Sequence, residues 1–286
     1  MSDDLSGVIA ALATSTWLAI AAALAAFLLL FIALQVLAQI TPARPETTRK
    51  LLHTGSGLLT LTFPFLFREA WPVLLLTGAS ALIVAAARFV PAVRVRLGRV
   101  AGGVERATFG EFYFPLAVAL LFVLTLGDDP LLFAIPVLVL TLADTASAVV
   151  GMRYGVTRYS GAGKSLEGSA AFAVVAFFCV HVPLLAWSTV GRAECLLVAA
   201  TFALLVMLLE GSAGRGLDNL VIPLAGYLLL RGFVELDTAA LLARLAVAVA
   251  LVLLVILLHV YAARPRRAPD RAAPDSSTPV HLHLRA

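Results

Sequence analysis

From Val8 to Ile40 the chain carries no charged side chain, and that run leaves few choices of fold. A helix that is apolar around its whole circumference needs hydrocarbon or a large core about it, and a run this long points to a bilayer. Comparable runs, separated by Pro, Gly and charge, predict spanning helices at 13–38, 51–67, 71–90, 112–127, 131–152, 168–189, 193–210, 219–234 and 238–262. The second, fourth and eighth are short, so tilt or burial against neighbours is expected of them. Composition agrees: 61% of residues are hydrophobic and 13% charged, against about 45–50% and about 25% in soluble domains. The expected fold class is therefore all-α, a polytopic integral membrane helical bundle of about nine transmembrane helices.

The first run far exceeds a signal-peptide core of about 7–15 residues, and Asp3 and Asp4 stand where such a peptide is basic, so a retained helix is expected. Residues 1–12 read as an extracytoplasmic segment and 13–262 as a single transmembrane domain. The stretch 263–286, rich in Pro, Arg, Ala and Asp, reads as a disordered cytoplasmic tail. Its His281 and His283 read as solvated side chains. Cys179 and Cys195 lie in or beside apolar segments without a partner at ligand spacing, which marks them as small core residues and excludes a cysteine metal site. The net charge of +4 comes from basic residues scattered between apolar runs. Without a continuous basic face, nucleic-acid binding is excluded.

Those basic residues also orient the chain. Taken alternately, the connections on one side hold seventeen of the 21 Lys and Arg residues, and the other side holds only Arg68, Arg192, Arg231 and Arg244. Cytoplasmic connections carry the excess, which places the N-terminus outside and the C-terminus in the cytoplasm. Arginine outnumbers lysine nineteen to two; this usage suggests a GC-rich prokaryotic gene and hence the plasma membrane.

Polar residues within such a chain are candidates for function, because an ionisable group at the bilayer centre costs a few kcal/mol. Asp144 shares a narrow helical stripe with Ser147, Gly151 and Gly155. A small-residue packing seam explains the glycines but has no use for a carboxylate. In RKLLHTGSGLLT, Arg49, His53, Ser56 and Thr60 form a second stripe, running into the membrane from the cytoplasmic end. In LLEGSAGRGLDNLVIP, Glu210 sits at a helix C-terminus, where the macrodipole opposes it, and Asp218 reads either as an N-cap or as a ligand. Both lysines, Lys50 and Lys164, fall in these clusters, and an ammonium suits a phosphate oxygen.

The stretch YSGAGKSLEGS ends like a P-loop at Gly163, Lys164 and Ser165, but Arg158 stands where that pattern needs glycine, and no soluble strand precedes it. Three segments, RKLLHTGSG, LADTASAVVGMRYG…GAGKSLEGS and LLEGSAGRGLDNLVIP, resemble the CTP-dependent polyprenol kinase family of phytol and dolichol kinases. ERATFGEFYFP, Glu105 to Pro115, looks like that family's connecting segment. The likeness covers about residues 44 to 225. Its middle part is also similar to phosphatidate cytidylyltransferases, which often have a second lysine where this chain has Gly163.

The resemblance implies a lipid alcohol kinase, with CTP as phosphoryl donor, Mg2+ as cofactor and a membrane-embedded isoprenoid alcohol as acceptor. Asp144, His53 and Glu210 would be catalytic, and Asp144 with Asp218 would hold the metal, Glu210 being an alternative to Asp218. Lys164, Ser165, Gly161, Gly163, Arg49, Lys50 and Asn219 would bind the CTP phosphates. Lys164 is expected to project from an exposed turn. Two other readings use the same residues. A cytidylyltransferase would attack the α-phosphate of CTP. A transporter would use Asp144 and His53 as a substrate path, but should show polar residues on both membrane sides.

Overall fold

A computed structural model describes residues 15–41, 45–90, 92–93, 109–159, 163–214 and 216–262. The expectations placed on Gly161, on residues 1–12, on the tail after 262 and on Glu105 lie outside those residues. The chain is all-helical in its long elements: α1 Thr16–Ile40, α2 Pro45–Thr60, α3 Phe63–Leu66, α4 Ala70–Phe89, α5 Gly110–Leu124, α6 Leu131–Leu138, a π-helical turn Val139–Ala143, α7 Asp144–Tyr154, α8 Leu166–Trp187, α9 Arg192–Ser212, α10 Asp218–Phe233 and α11 Thr238–Ala262. Each predicted span coincides with helix. Among the described residues six helices, α1, α4, the continuous α6–α7 unit, α8, α9 and α11, are long and apolar enough to cross a membrane. The segments predicted to be short are the ones that fall below that length.

Local chemistry explains the interruptions. The second predicted span breaks after Thr60, where the Thr60 hydroxyl donates to the Gly57 carbonyl at 2.7 Å. Pro64 then sits in the first turn of α3, where its missing N–H costs nothing. The fifth predicted span runs on through Pro136, which cannot donate to the preceding turn, and the next turn widens to a π-helix. One extra residue in that turn rotates Asp144 off the face it would hold in an unbroken α-helix.

Around the α6–α7 unit, the most buried of the six long helices, Val139, Leu140, Phe172, Cys195, Phe202 and Ile222 form one core. A second core joins α1, α3, α4 and α5 through Phe63, Phe67, Val73 and Phe122. Both cysteines are buried and unbridged. α11 is the least buried of the long helices and presents Leu253, Leu257 and Leu258 outward, as a lipid-facing helix should.

Small residues let the polar segments close. Ser147, Gly151 and Gly155 of the predicted stripe do form a seam. A Cβ on Gly168 of α8 would lie 2.9 Å from the Ser147 carbonyl oxygen and 3.4 Å from the Gly151 Cα. Asp144, one turn earlier on the same regular α-helix, meets α2 through Lys50. On α2 a Cβ at Gly57 would collide with the Thr141 side chain in the π-turn, so only glycine admits the helix this close. A close backbone-to-backbone approach joins the start of α5 to the α9–α10 connection. Gly216 has φ +85°, and a Cβ there would be 2.5 Å from the backbone N and Cα of Gly110.

Gly216→Ala is therefore expected to lower stability by about 2–3 kcal/mol, combining left-handed backbone strain with a backbone clash. Gly214→Ala, whose Cβ would meet none of the described atoms within 4 Å, should be nearly neutral. Thermal unfolding in detergent compares the two, and equal stability of the two variants would contradict this packing.

Candidate active site

The π-turn presents Asp144 to α2, and Lys50 meets it there. Lys50 Nζ lies 2.6 Å from Asp144 Oδ2, with both side chains nearly buried. His53, one turn further along α2, places Nε2 4.0 Å from the same oxygen. Its ring stands edge-on to Phe114 of α5, with centroids 4.9 Å apart. His53 Nε2 is buried without a hydrogen-bond partner among the described residues. Beside this group the hydroxyls of Thr54 and Thr145 share a hydrogen bond of 2.8 Å, which ties α2 to α7 a second time. Arg49 is partly exposed on the same helix and interacts electrostatically with His53 and with Glu111 of α5.

A second group assembles around Lys164. The turn between α7 and α8 doubles back: Arg158 and Ser165 form an antiparallel bridge, and the Arg158 guanidinium donates to the Gly163 carbonyl at 2.8 Å. Gly163 has φ +80°, a conformation that glycine accepts without strain. Lys164 is not exposed as its position in a polar turn suggested. Its side chain is 17% exposed, because it folds inward to Glu210 at the end of α9. Nζ lies 2.8 Å from Glu210 Oε1 and 3.5 Å from Asp218 Oδ2, and it also donates to the Glu210 main-chain carbonyl. A lysine bonded to that carbonyl offsets the unfavourable helix end on which Glu210 sits. Glu210 Oε2 is buried with no partner among the described residues.

Some predicted residues are committed to the fold. The Ser165 hydroxyl is buried and caps α8 by accepting from Gly168 N–H at 3.2 Å. The Asn219 amide donates to the Gly110 carbonyl at 2.9 Å and so pins α5 to α10. Asp218 occupies the first turn of α10 and not its N-cap, which is Leu217. The two charged groups nonetheless share one site, for Asp144 interacts electrostatically with Lys164 and with Glu210. Sequence reasoning missed the Thr54–Thr145 bond, although each threonine directly follows a residue singled out, His53 and Asp144.

The site contains three carboxylates and two ammonium groups within a largely apolar bundle. Among the described residues no three His, Cys, Asp or Glu side chains gather as a ready-made metal cage. Magnesium does not require one, since it takes one or two carboxylates with phosphate oxygens and water. Glu210 Oε2, buried and without a partner among the described residues, is an oxygen that could serve such an ion together with one further carboxylate.

Burial disfavours the Lys164 ammonium, but the charge and hydrogen bond of Glu210, with Asp218, outweigh it and hold its pKa above the ordinary lysine value. The folded pKa exceeds the unfolded one, about 10.4, so the stabilisation is complete below that value and is lost as pH rises through the folded pKa. Unfolding in detergent from about pH 9 upward should show wild type losing stability relative to Lys164→Met. Parallel curves for the two proteins would remove the ion pair.

The chain is 31% identical over 222 residues to a phytol kinase from Synechocystis sp., a match covering 76% of this chain and 92% of that protein. No family model and no solved structure matches it. A relationship of that extent, joined to three polar segments that converge on one site, shows that the chain belongs to the phytol and polyprenol kinase family.

Proposed function

We propose that the chain is a CTP-dependent kinase that phosphorylates a long-chain isoprenoid alcohol of the phytol or polyprenol type at the cytoplasmic face of a prokaryotic plasma membrane. The observation that carries this reading is the convergence of Lys50–Asp144 with Lys164, Glu210 and Asp218 within a bundle that is otherwise largely apolar. The phytol kinase relative supports an isoprenoid acceptor. The motif resemblance supports CTP, and the excess of basic residues on one side supports the cytoplasmic face.

Phosphoryl transfer asks a protein mainly to position two substrates and neutralise charge. Lys50 and Lys164 are the ammonium groups available to phosphate oxygens, with Arg49 at the rim. Asp144 with Asp218 would hold Mg2+, which when bound neutralises the transferring phosphate. The alcohol's tail would lie between apolar helices, with its hydroxyl at the site. As its oxygen bonds to the γ-phosphorus and the bond to the CDP leaving group breaks, the hydroxyl proton must be accepted. The Nε2 of His53 and the Oε2 of Glu210, each without a partner among the described residues, would be the candidates to take it.

Purified protein supplied with CTP labelled separately at the α- and γ-phosphates, over a panel of lipid alcohols and phosphatidate, tests this directly. Label from the γ-position is expected on a prenyl alcohol, with none from the α-position. α-Label in a lipid product would replace the kinase with a cytidylyltransferase.

A further inference from the structure

We propose that Tyr159 is a positioning residue for Lys164, and that the glycine at 211 is the notch in α9 that receives it; the inference rests on the reading of Lys164 as a phosphate-binding group. The turn that carries Lys164 closes on itself through backbone bonds. Leu166 N–H donates to the Thr157 carbonyl at 2.9 Å, and Tyr159 N–H donates to the Lys164 carbonyl at 3.2 Å. Tyr159 and Lys164 are thus joined across the turn, and whatever fixes one fixes the backbone of the other.

Both side chains reach the same spot on α9. Lys164 bonds to the carboxylate and the carbonyl of Glu210. The Tyr159 hydroxyl lies against the next residue: a Cβ on Gly211 would be 2.9 Å from it, and the three nearest atoms to that position all belong to Tyr159. The phenol also shares a 2.6 Å hydrogen bond with the Ser169 hydroxyl on α8, and its ring stands edge-on to His259 near the end of α11, with centroids 6.2 Å apart. Three helices therefore fix the phenol. A lysine is a point charge on a flexible four-carbon stem, so a rigid base is what keeps its ammonium at one place in the site.

The test is kinetic, on the full chain in detergent with CTP, magnesium and an isoprenoid alcohol. Tyr159→Phe should raise the KM for CTP by about 3- to 10-fold, the worth of one hydrogen bond, while the KM for the alcohol stays near wild type and kcat changes less than the CTP KM. Gly211→Ala should raise the CTP KM further by pushing the phenol out. Combining the two should return the CTP KM to the level of Tyr159→Phe, because removing the hydroxyl removes the collision. A merely structural role would shift all three kinetic parameters together and give no such rescue. An active wild type whose CTP KM is unaffected by either single change, or additive losses in the double variant, would overturn this inference alone. A wild type with no CTP-dependent kinase activity would overturn it together with the functional reading beneath it.

Discussion

The ion pair between Lys50 and Asp144 is the contact on which the site depends. A carboxylate in the middle of an apolar helix costs several kcal/mol unless a partner and hydrogen bonds compensate it. The partner here comes from a helix ninety-four residues earlier in sequence. Three features bring it within reach: the π-turn that rotates Asp144, the absence of a side chain at Gly57, and the Thr54–Thr145 bond alongside. Each is an irregularity in an otherwise plain helix, and together they bring two helices close at the position of greatest charge.

A second consequence concerns the lysines. Both already have carboxylate partners, so an incoming phosphate would replace an anion rather than meet an empty ammonium. In the proposed reaction the exchange is balanced, since the carboxylates released by the lysines are the groups that would hold the metal accompanying the nucleotide. Among the described residues Glu210 contributes an oxygen without a partner, which would suit a group whose second partner arrives with substrate.

Much of this was legible in the sequence. The apolar runs located every long helix, and the three polar segments named Lys50, His53, Asp144, Lys164, Glu210 and Asp218, because ionisable residues stand out against hydrocarbon. The pairing was not legible. Helical periodicity placed Asp144 with Ser147 and Gly151 on one stripe, and α7 is a regular α-helix from Asp144 to Tyr154; which neighbours that stripe meets was not legible, because the π-turn after Pro136 turns all of α7 relative to α6. Lys164 was misjudged as exposed because a Gly-rich turn resembles a solvated one; its burial depends on Glu210, forty-six residues away. Ser165 and Asn219 looked like phosphate ligands from their motif, while their polar atoms cap α8 and pin α5, roles that only the folded contacts reveal.

The central claim is that Asp144 serves chemistry and not merely packing. Asp144→Asn keeps its shape and one oxygen for Lys50 but removes the charge, which leaves Lys50 uncompensated and is expected to lower stability. Adding Lys50→Met should recover the stability lost. The deciding measurement is CTP-dependent phosphorylation of an isoprenoid alcohol by the folded Lys50→Met/Asp144→Asn protein, with folded Asp144→Asn alone, which keeps Lys50 for the phosphates, measured beside it and both checked for integrity by thermal unfolding in detergent. The account predicts a stable protein whose turnover is lower by about two orders of magnitude or more. A stable double variant with turnover near wild type would contradict it.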